Sequence, residues 1–291
     1  MEKIAVLRRL FLCALAGLAL VAGQPSASHA AQSVDAQKTE KSEPPKKAAP
    51  QKIDRNNLTA EQVAETVVLV YGSREAMKQI RRSGVERGRI TRFSAEGKSE
   101  EINYQRAFKR GETFDKDKIR FDQRMPTLEY SIIYNEGRFT GILRGSTFTP
   151  RQQDVVTVLT DRTHGLDALL RYKENGASIK YVGKDNQKGL DLWILELADK
   201  ESRTTRFYIS AKTGRVLWLE YEERADGDSA PVKYKRTFHD YRIVQGTLVP
   251  YRSVLYAGDR QVEELRLMTM TYGVKLEDSI FQNPEAASLQ P

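Results

Sequence analysis

Three residue types are scarce in this chain of 291 residues: cysteine, present once, tryptophan, present twice, and histidine, present three times. The single cysteine, Cys13, sits inside the apolar run LFLCALAGLALVAG near the N-terminus. Beyond that run no cysteine is left, which excludes disulfides, thiolate catalysis and cysteine-ligated metal together. MEKIAVLRRL gives the run a basic start at Lys3, Arg8 and Arg9, and ASHA ends it with a small-x-small pattern. These features read as a signal peptide over residues 1–30, cut after Ala30. The run from Leu10 to Gly23 is shorter than the ~20 residues a spanning helix needs. A lipoprotein signal would place its cysteine after the apolar core, whereas Cys13 lies within it, so no lipid anchor is expected. The expected compartment is the periplasm.

Only His164 and His239 lie beyond the leader. His239 and Asp240 are neighbours in an alternating stretch, which sends them to opposite faces of a strand and argues against a hydrolytic dyad. His164, beside Gly165, reads as a polar turn residue. The sequence holds no nucleophile elbow, no phosphate-cradling glycine loop and no cluster with metal-ligand spacing. The acidic group at Asp226 to Asp228 is too short for a calcium loop and reads as a solvated turn. Carboxylates such as Glu220, Glu222 and Glu223 fit a solvated strand face. No catalytic constellation, metal or cofactor is therefore expected, and a hydrolase with an unrecognised site is the outlying alternative.

Aromatic residues are absent from residues 31–54, a stretch of mixed charge with three prolines, which reads as a disordered tether. The remainder, residues 55–284, reads as one domain followed by a short tail over 285–291. The net charge of +8 suits anionic headgroups or acidic partners. Nucleic acid is not expected, because an exported chain rarely meets it.

Within the domain, Thr59 and Gln62 have capping-box spacing and Leu58 with Val63 can staple the entry to a helix. Val63, Val67, Val70 and Met77 continue its apolar stripe, with a break near Gly72. Strand signals follow. Ile119, Phe121 and Met125 alternate with Lys118, Arg120, Asp122 and Arg124, giving a dry side and a wet side. LEYSIIYNEGRFTGIL reads as a hairpin. After residue 176 come SIKYVGK, LDLWILELA, RTTRFYISA, RVLWLEYEE, VKYKRTFHDYRIV, TLVPYRSVLYA and VEELRLMTMTYG, with AKTG a tight turn at Gly214. About eleven antiparallel strands against two helical regions predict a mainly β, α+β fold. So many twisted strands curl, and the curled sheet forms an incomplete barrel.

One stretch breaks this pattern. VTVLTDRTHGLDALLRYKENG, preceded by Thr149 as N-cap and Pro150 as first helical residue, has helical spacing in the middle of the sheet sequence. Val155, Val156, Val158, Leu159, Leu166, Leu169 and Leu170 make it a plug or lid over the concave face, beside the N-terminal helix. LDLWILEL puts Leu190, Leu192 and Ile194 on one face and Trp193, Leu195 and Leu197 on the other, so both faces are partly apolar. An apolar groove under the lid is then expected, lined by Ile119, Phe121, Met125, Leu159, Leu166, Leu169, Leu170, Trp193, Trp218, Met268 and Met270.

Three segments carry a family resemblance. RFYISAKTGRVLWLEY holds Tyr208, Ile209, Thr213 and Gly214; HDYRIVQGTLVPYRSVLY holds Asp240, Tyr241, Arg242, Gly246 and Pro250; VKLEDSIFQNP holds Leu276, Asp278, Ser279, Phe281 and Pro284. In this order they resemble the C-terminal half of the outer-membrane lipoprotein-sorting proteins, the LolA-like carriers. The resemblance implies an incomplete barrel with a helical lid that carries acyl chains of lipoproteins or other lipids across the periplasm. Inner- and outer-membrane transfer proteins and peripheral membrane contact would then be its partners. It also implies a lid-holding arginine near the start of the sheet, for which Arg87, Arg89 and Arg92 are all candidates. The rival reading is a periplasmic sensor or scaffold of the same fold that binds a partner protein.

Overall fold

Thirteen strands among the described residues form one sheet that does not close on itself. In the computed structural model, which describes residues 58–150, 152–224 and 230–282, one antiparallel sheet runs in the order β6-β5-β4-β3-β2-β1-β13-β12-β11-β10-β9-β8-β7. Its strands are β1 Ser83–Phe93, β2 Ser99–Lys109, β3 Lys118–Arg124, β4 Glu129–Asn135, β5 Arg138–Leu143, β6 Ser146–Phe148, β7 Ser178–Gln187, β8 Leu190–Ala198, β9 Thr204–Ser210, β10 Val216–Glu223, β11 Val232–Val244, β12 Thr247–Ala257 and β13 Arg260–Tyr272. The pairing of β1 with β13 joins two meandering wings, and the edges β6 and β7 stay unpaired, so the sheet is an incomplete barrel. The leader, the tether, the Asp226 to Asp228 turn and the tail lie outside the described residues.

The strand count exceeds eleven because the hairpin β1–β2 is too charged, and the three-residue β6 too short, to read as strands. Ser83–Lys109 is dense in Arg and Glu, with Ile90, Ile102, Tyr104 and Phe108 the apolar residues of its buried face. Pairing across the hairpin puts Arg92 beside Glu100, and Arg89 beside Asn103 on the face opposite Ile90 and Ile102.

The N-terminal helical stretch is two helices, α1 Ala60–Val70 and α2 Arg74–Ile80. The capping box forms as expected: the Thr59 side chain accepts from the Gln62 backbone N–H, and the Thr59 N–H donates to Gln62 Oε1 at 2.9 Å. The break falls at Gly72, whose φ of +128° only glycine adopts readily. Val63, Ala64 and Val67 are fully buried against Leu195, Leu197, Phe207, Ile209 and Leu219 on the inner face of the C-terminal wing. Burying each valine stabilises by roughly 1.5–3 kcal/mol, so α1 is bound firmly to that wing.

The central insert also divides. Helix α3, Gln152–His164, ends before Gly165, and α4, Leu166–Leu170, follows at once. Gly165 is required by close approach, since a Cβ there would lie 2.0 Å from the Asp161 carbonyl oxygen. The two helices meet different surroundings. Leu169 and Leu170 sink into the α1 core, whereas Val158 of α3 joins a separate cluster across the junction of the two wings with Ile90, Ile102, Phe108 and Val249.

The expected wet side of β3 is not wet. Arg120 is 5% exposed, bonded through Nε to Asp122 at 2.8 Å and through Nη1 to the Ile280 carbonyl. The C-terminal segment causes this, because Leu276 and Phe281 fold over the outer face and pack on Ala107, Ile133 and Ile142. Sequence alternation along β3 gives no sign of a cover that arrives more than 150 residues later.

Candidate functional site

A cavity of ≈ 190 Å³ lies between α3 and the sheet, on the face that carries the helices. Its floor is apolar: Phe108, Ile119, Val249, Leu265, Leu267 and Met270, from β2, β3, β12 and β13. Val158 and Leu166 contribute from the helical side.

Of the residues expected to line a groove, the structure brings Ile119, Leu166 and Met270 together at this cavity. Phe121 is buried in the same cluster, and Met125, one residue past β3, packs at its margin. Leu159 is half-buried on α3. The others sit elsewhere. Leu169 and Leu170 belong to the α1 core, with Trp193 packed against it. Trp218 stacks on Tyr208 at 4.6 Å in a cluster with Leu192, on the face opposite Leu195 and Leu197. Met268 and Met270 do not share a face, because a bulge opposite Arg87 and Gly88 interrupts the alternation and leaves Met268 63% exposed.

Above the floor runs a belt of charge that hydropathy reading missed. Asp161, near the end of α3, accepts from Arg106 Nη1 of β2 at 3.2 Å and from Arg236 Nη1 of β11 at 2.5 Å. Arg106 is held in turn by Glu86 at 3.0 Å. One carboxylate on the helix thus bridges two strands that are not neighbours in the sheet. Burial disfavours the charge on Arg106, but Glu86 and Asp161 outweigh it and hold its pKa above the ordinary guanidinium value. Arg236 is raised in the same way, burial opposed by Asp161 and Glu263. Burial, then the Glu86 charge, lifts the Tyr104 phenol well above its usual range. The only sequence signal for the belt is that Glu86, Arg106 and Arg236 fall on the apolar phase of their strands.

The remaining grip on α3 is also polar or aromatic. Arg162 lies over the Tyr134 ring at 4.1 Å and 3.7 Å from Asp115. His164 is no turn residue: it is 4% exposed, bonded to Thr205 Oγ1 at 2.7 Å and stacked on Tyr221. Burial pushes its pKa down to about 4, and the Arg203 charge adds to this. Arg87 bonds Gln105, Arg89 pairs with Glu101 and Arg92 with Glu263, each across neighbouring strands. Among the described contacts, Arg106 and Arg236 reach α3 through Asp161.

His239 and Asp240 make no dyad. Asp240 has a φ of +50° at an irregularity in β11 and pairs with Arg242, while His239 bonds Thr237. Among the described residues no group of three or more metal-ligating side chains occurs, and no helix is long and apolar enough to cross a membrane.

No family model matches the chain, and no curated protein matches it. Solved structures do. A DUF1329 family protein from Desulfovibrio piger superposes with a TM-score of 0.56 at 13% identity, over 77% of this chain and 97% of that one. A LolA superfamily protein from Nitrosomonas europaea gives 0.56 at 12% identity, over 79% and 100%. This chain has the fold of the LolA superfamily. An outer-membrane lipoprotein-sorting protein domain from Vibrio parahaemolyticus is similar at a TM-score of 0.46 and 14% identity, over 69% and 89%.

The motif residues that resemble this superfamily hold the fold rather than line the cavity. Tyr241 donates to the Val216 carbonyl and meets Tyr71 at 3.4 Å, and Tyr71 accepts from the Val216 N–H, tying the end of α1 to β10. Burial pushes the Tyr71 phenol up to about 12. Asp278 pairs with Lys109 at 2.5 Å and Lys118 at 3.0 Å, pinning the C-terminal cover. Among the described motif residues, Pro250 alone borders the cavity.

Proposed function

We propose that this protein is a periplasmic carrier that shelters the acyl chains of lipoproteins or other lipids in the cavity under α3, for transfer toward the outer membrane. One observation carries the reading: an apolar floor is roofed by a helix whose main ties to the sheet are ion pairs. Each methylene buried on such a floor gains about 0.8 kcal/mol, while charged side chains released at the roof recover their hydration. The roof can therefore exchange its polar contacts for water as the floor takes up a chain.

Size supports a moving roof. Sites for small molecules run from roughly 300 to 1,000 Å³. At ≈ 190 Å³ the cavity is too small for a long chain, so uptake requires α3 to lift. Gly165 separates it from α4, which stays bound in the core. The LolA-type fold supports the same reading, and carriage rather than catalysis is what it implies. A second reading, a scaffold that binds a partner protein, draws on the unpaired edge of β7, ten residues long and alternating in exposure, which could accept an added strand.

The deciding experiment is native mass spectrometry, with organic extraction, on the processed chain taken from the periplasm without detergent. The carrier predicts bound lipid or acylated peptide, and Met270→Glu, which puts a carboxylate on the floor, should lower uptake at least tenfold. A clean mass with no uptake on mixing with lipid overturns the reading in favour of the scaffold.

A further inference from the structure

A second concavity, of ≈ 560 Å³, opens beside the first, between α2, the β2–β3 loop and the turn after α4. Its walls are basic. Arg74, Lys78, Arg82, Arg110 and Arg171 face Glu112 and Glu174, so five cations meet two carboxylates. Arg74, Lys78 and Arg82 recur every four residues, which lines the first two along one side of α2 and sets the third just past its end. Like charges at that spacing oppose helix formation, so the row is not there for the stability of α2.

Among the described residues, internal carboxylates match three of the five cations and leave two without a partner. Arg74 is matched by Glu65, Arg171 by Asp117 and Glu174, and Arg110 by Asp167. Lys78 and Arg82 are exposed and have no ion pair among the described residues. Arg110 is pulled below the usual guanidinium value first by burial and then, against Asp167, by the neighbouring charges of Arg81 and Arg171. Unmatched positive charge therefore lies on the α2 wall, at Lys78 and Arg82.

Arg110 also borders the apolar cavity, so the two concavities share a wall. The unmatched Lys78 and Arg82, with the guanidinium groups of Arg74, Arg110 and Arg171 around the same hollow, suit an acceptor with several oxygens better than a lone carboxylate. We propose that this basic cleft binds a phosphoryl group, that of a lipid whose chains enter the adjoining cavity. The link to chains rests on the carrier reading, whereas the anion site stands on the cleft itself.

The test is calorimetry of the processed chain at 150 mM NaCl with dihexanoyl phosphatidic acid, dihexanoylglycerol and inorganic phosphate, on the parent and on the double variant Lys78→Glu/Arg82→Glu. Both changes are at exposed sites, and an unchanged melting temperature checks the fold. The parent should bind the phosphatidic acid at least tenfold tighter than the diacylglycerol, and the double variant should lose that preference while keeping its diacylglycerol affinity. Inorganic phosphate that binds the parent and not the variant identifies free phosphate as a sufficient ligand; phosphate that does neither, with the lipid preference intact, identifies a lipid headgroup. Equal phosphatidic acid affinity in parent and variant overturns the cleft and leaves the carrier standing. Phosphate binding that the variant loses, with no lipid bound, keeps the cleft and overturns the carrier. If nothing binds, both fall.

Discussion

Asp161→Asn is the change that bears most directly on the roof. The carboxylate is 24% exposed and bridges Arg106 and Arg236, the latter 10% exposed. Removing one partner of a buried pair costs ~3–5 kcal/mol, because the other charge is left buried and unpaired. Here Arg106 keeps Glu86 and Asp161 retains some water, so we take about 2 kcal/mol, charged to the closed position of α3 alone. At 1.4 kcal/mol per factor of ten, the open population rises about 30-fold. Amide hydrogen exchange read segment by segment measures this. Protection along α3 should fall by about that factor, while amides of α1 and of β8–β10 keep theirs, and lipid uptake should speed up in step. Unchanged exchange in α3 would refute the ionic roof. A uniform loss across all segments would refute it differently, by making Asp161 a support of the whole sheet.

Three further outcomes follow from the same geometry. His164 has a folded pKa of about 4 against 6.5 in the unfolded chain, so the unfolded state takes up the proton first as pH falls. Its contribution to stability is complete above pH 6.5 and is lost as the pH drops toward 4, about 3 kcal/mol in all; urea titrations at pH 7 and pH 4.5 should show that loss in the parent and not in His164→Gln. Phe281→Ala, at a side chain 1% exposed, should cost roughly 3–5 kcal/mol through the cavity left on the outer face, seen as a lower urea midpoint. Gly214→Ala should cost more than the ~1–2 kcal/mol of a left-handed φ, since its Cβ would meet Val70 of α1 at 2.8 Å, while Gly258→Ala, at φ +58° with open space, should cost only the backbone part. Paired melting curves separate the two glycines.

What could be read from the sequence was whatever is decided locally. The Thr59 capping box, the break at Gly72, the Gly214 turn and the two-sided alternation of β8 each depend on neighbours in the chain, and each stands in the structure. What could not be read depends on what lies across from a residue. Arg120 looked solvated until Ile280 and Phe281 covered it. Met268 and Met270 looked like one face until a bulge turned one outward. Leu169 and Leu170 have the apolar character of a lid, but Gly165 hands them to the α1 core. The charged belt was hidden for a general reason: hydropathy scores Glu86, Arg106 and Arg236 as solvated whichever way they point, and only the closure of β11 and β2 under one helix shows that they point inward.

The division of the insert at Gly165 has a mechanical consequence. Local opening is confined to elements held by few apolar contacts, because those release little buried surface when they move. Helix α4 and α1 share a dry core of valines, leucines and Tyr71, and their opening would approach global unfolding. Helix α3 contributes Val155 and Val158 as buried apolar side chains among its described residues, and is otherwise held by Asp161, Arg162 and His164. The two halves of the insert thus sit at opposite ends of the stability range although they are contiguous in sequence. A movement that uncovers the cavity is therefore confined to α3 and leaves the two-wing sheet intact. A carrier needs that combination, since it must release its cargo without losing its fold.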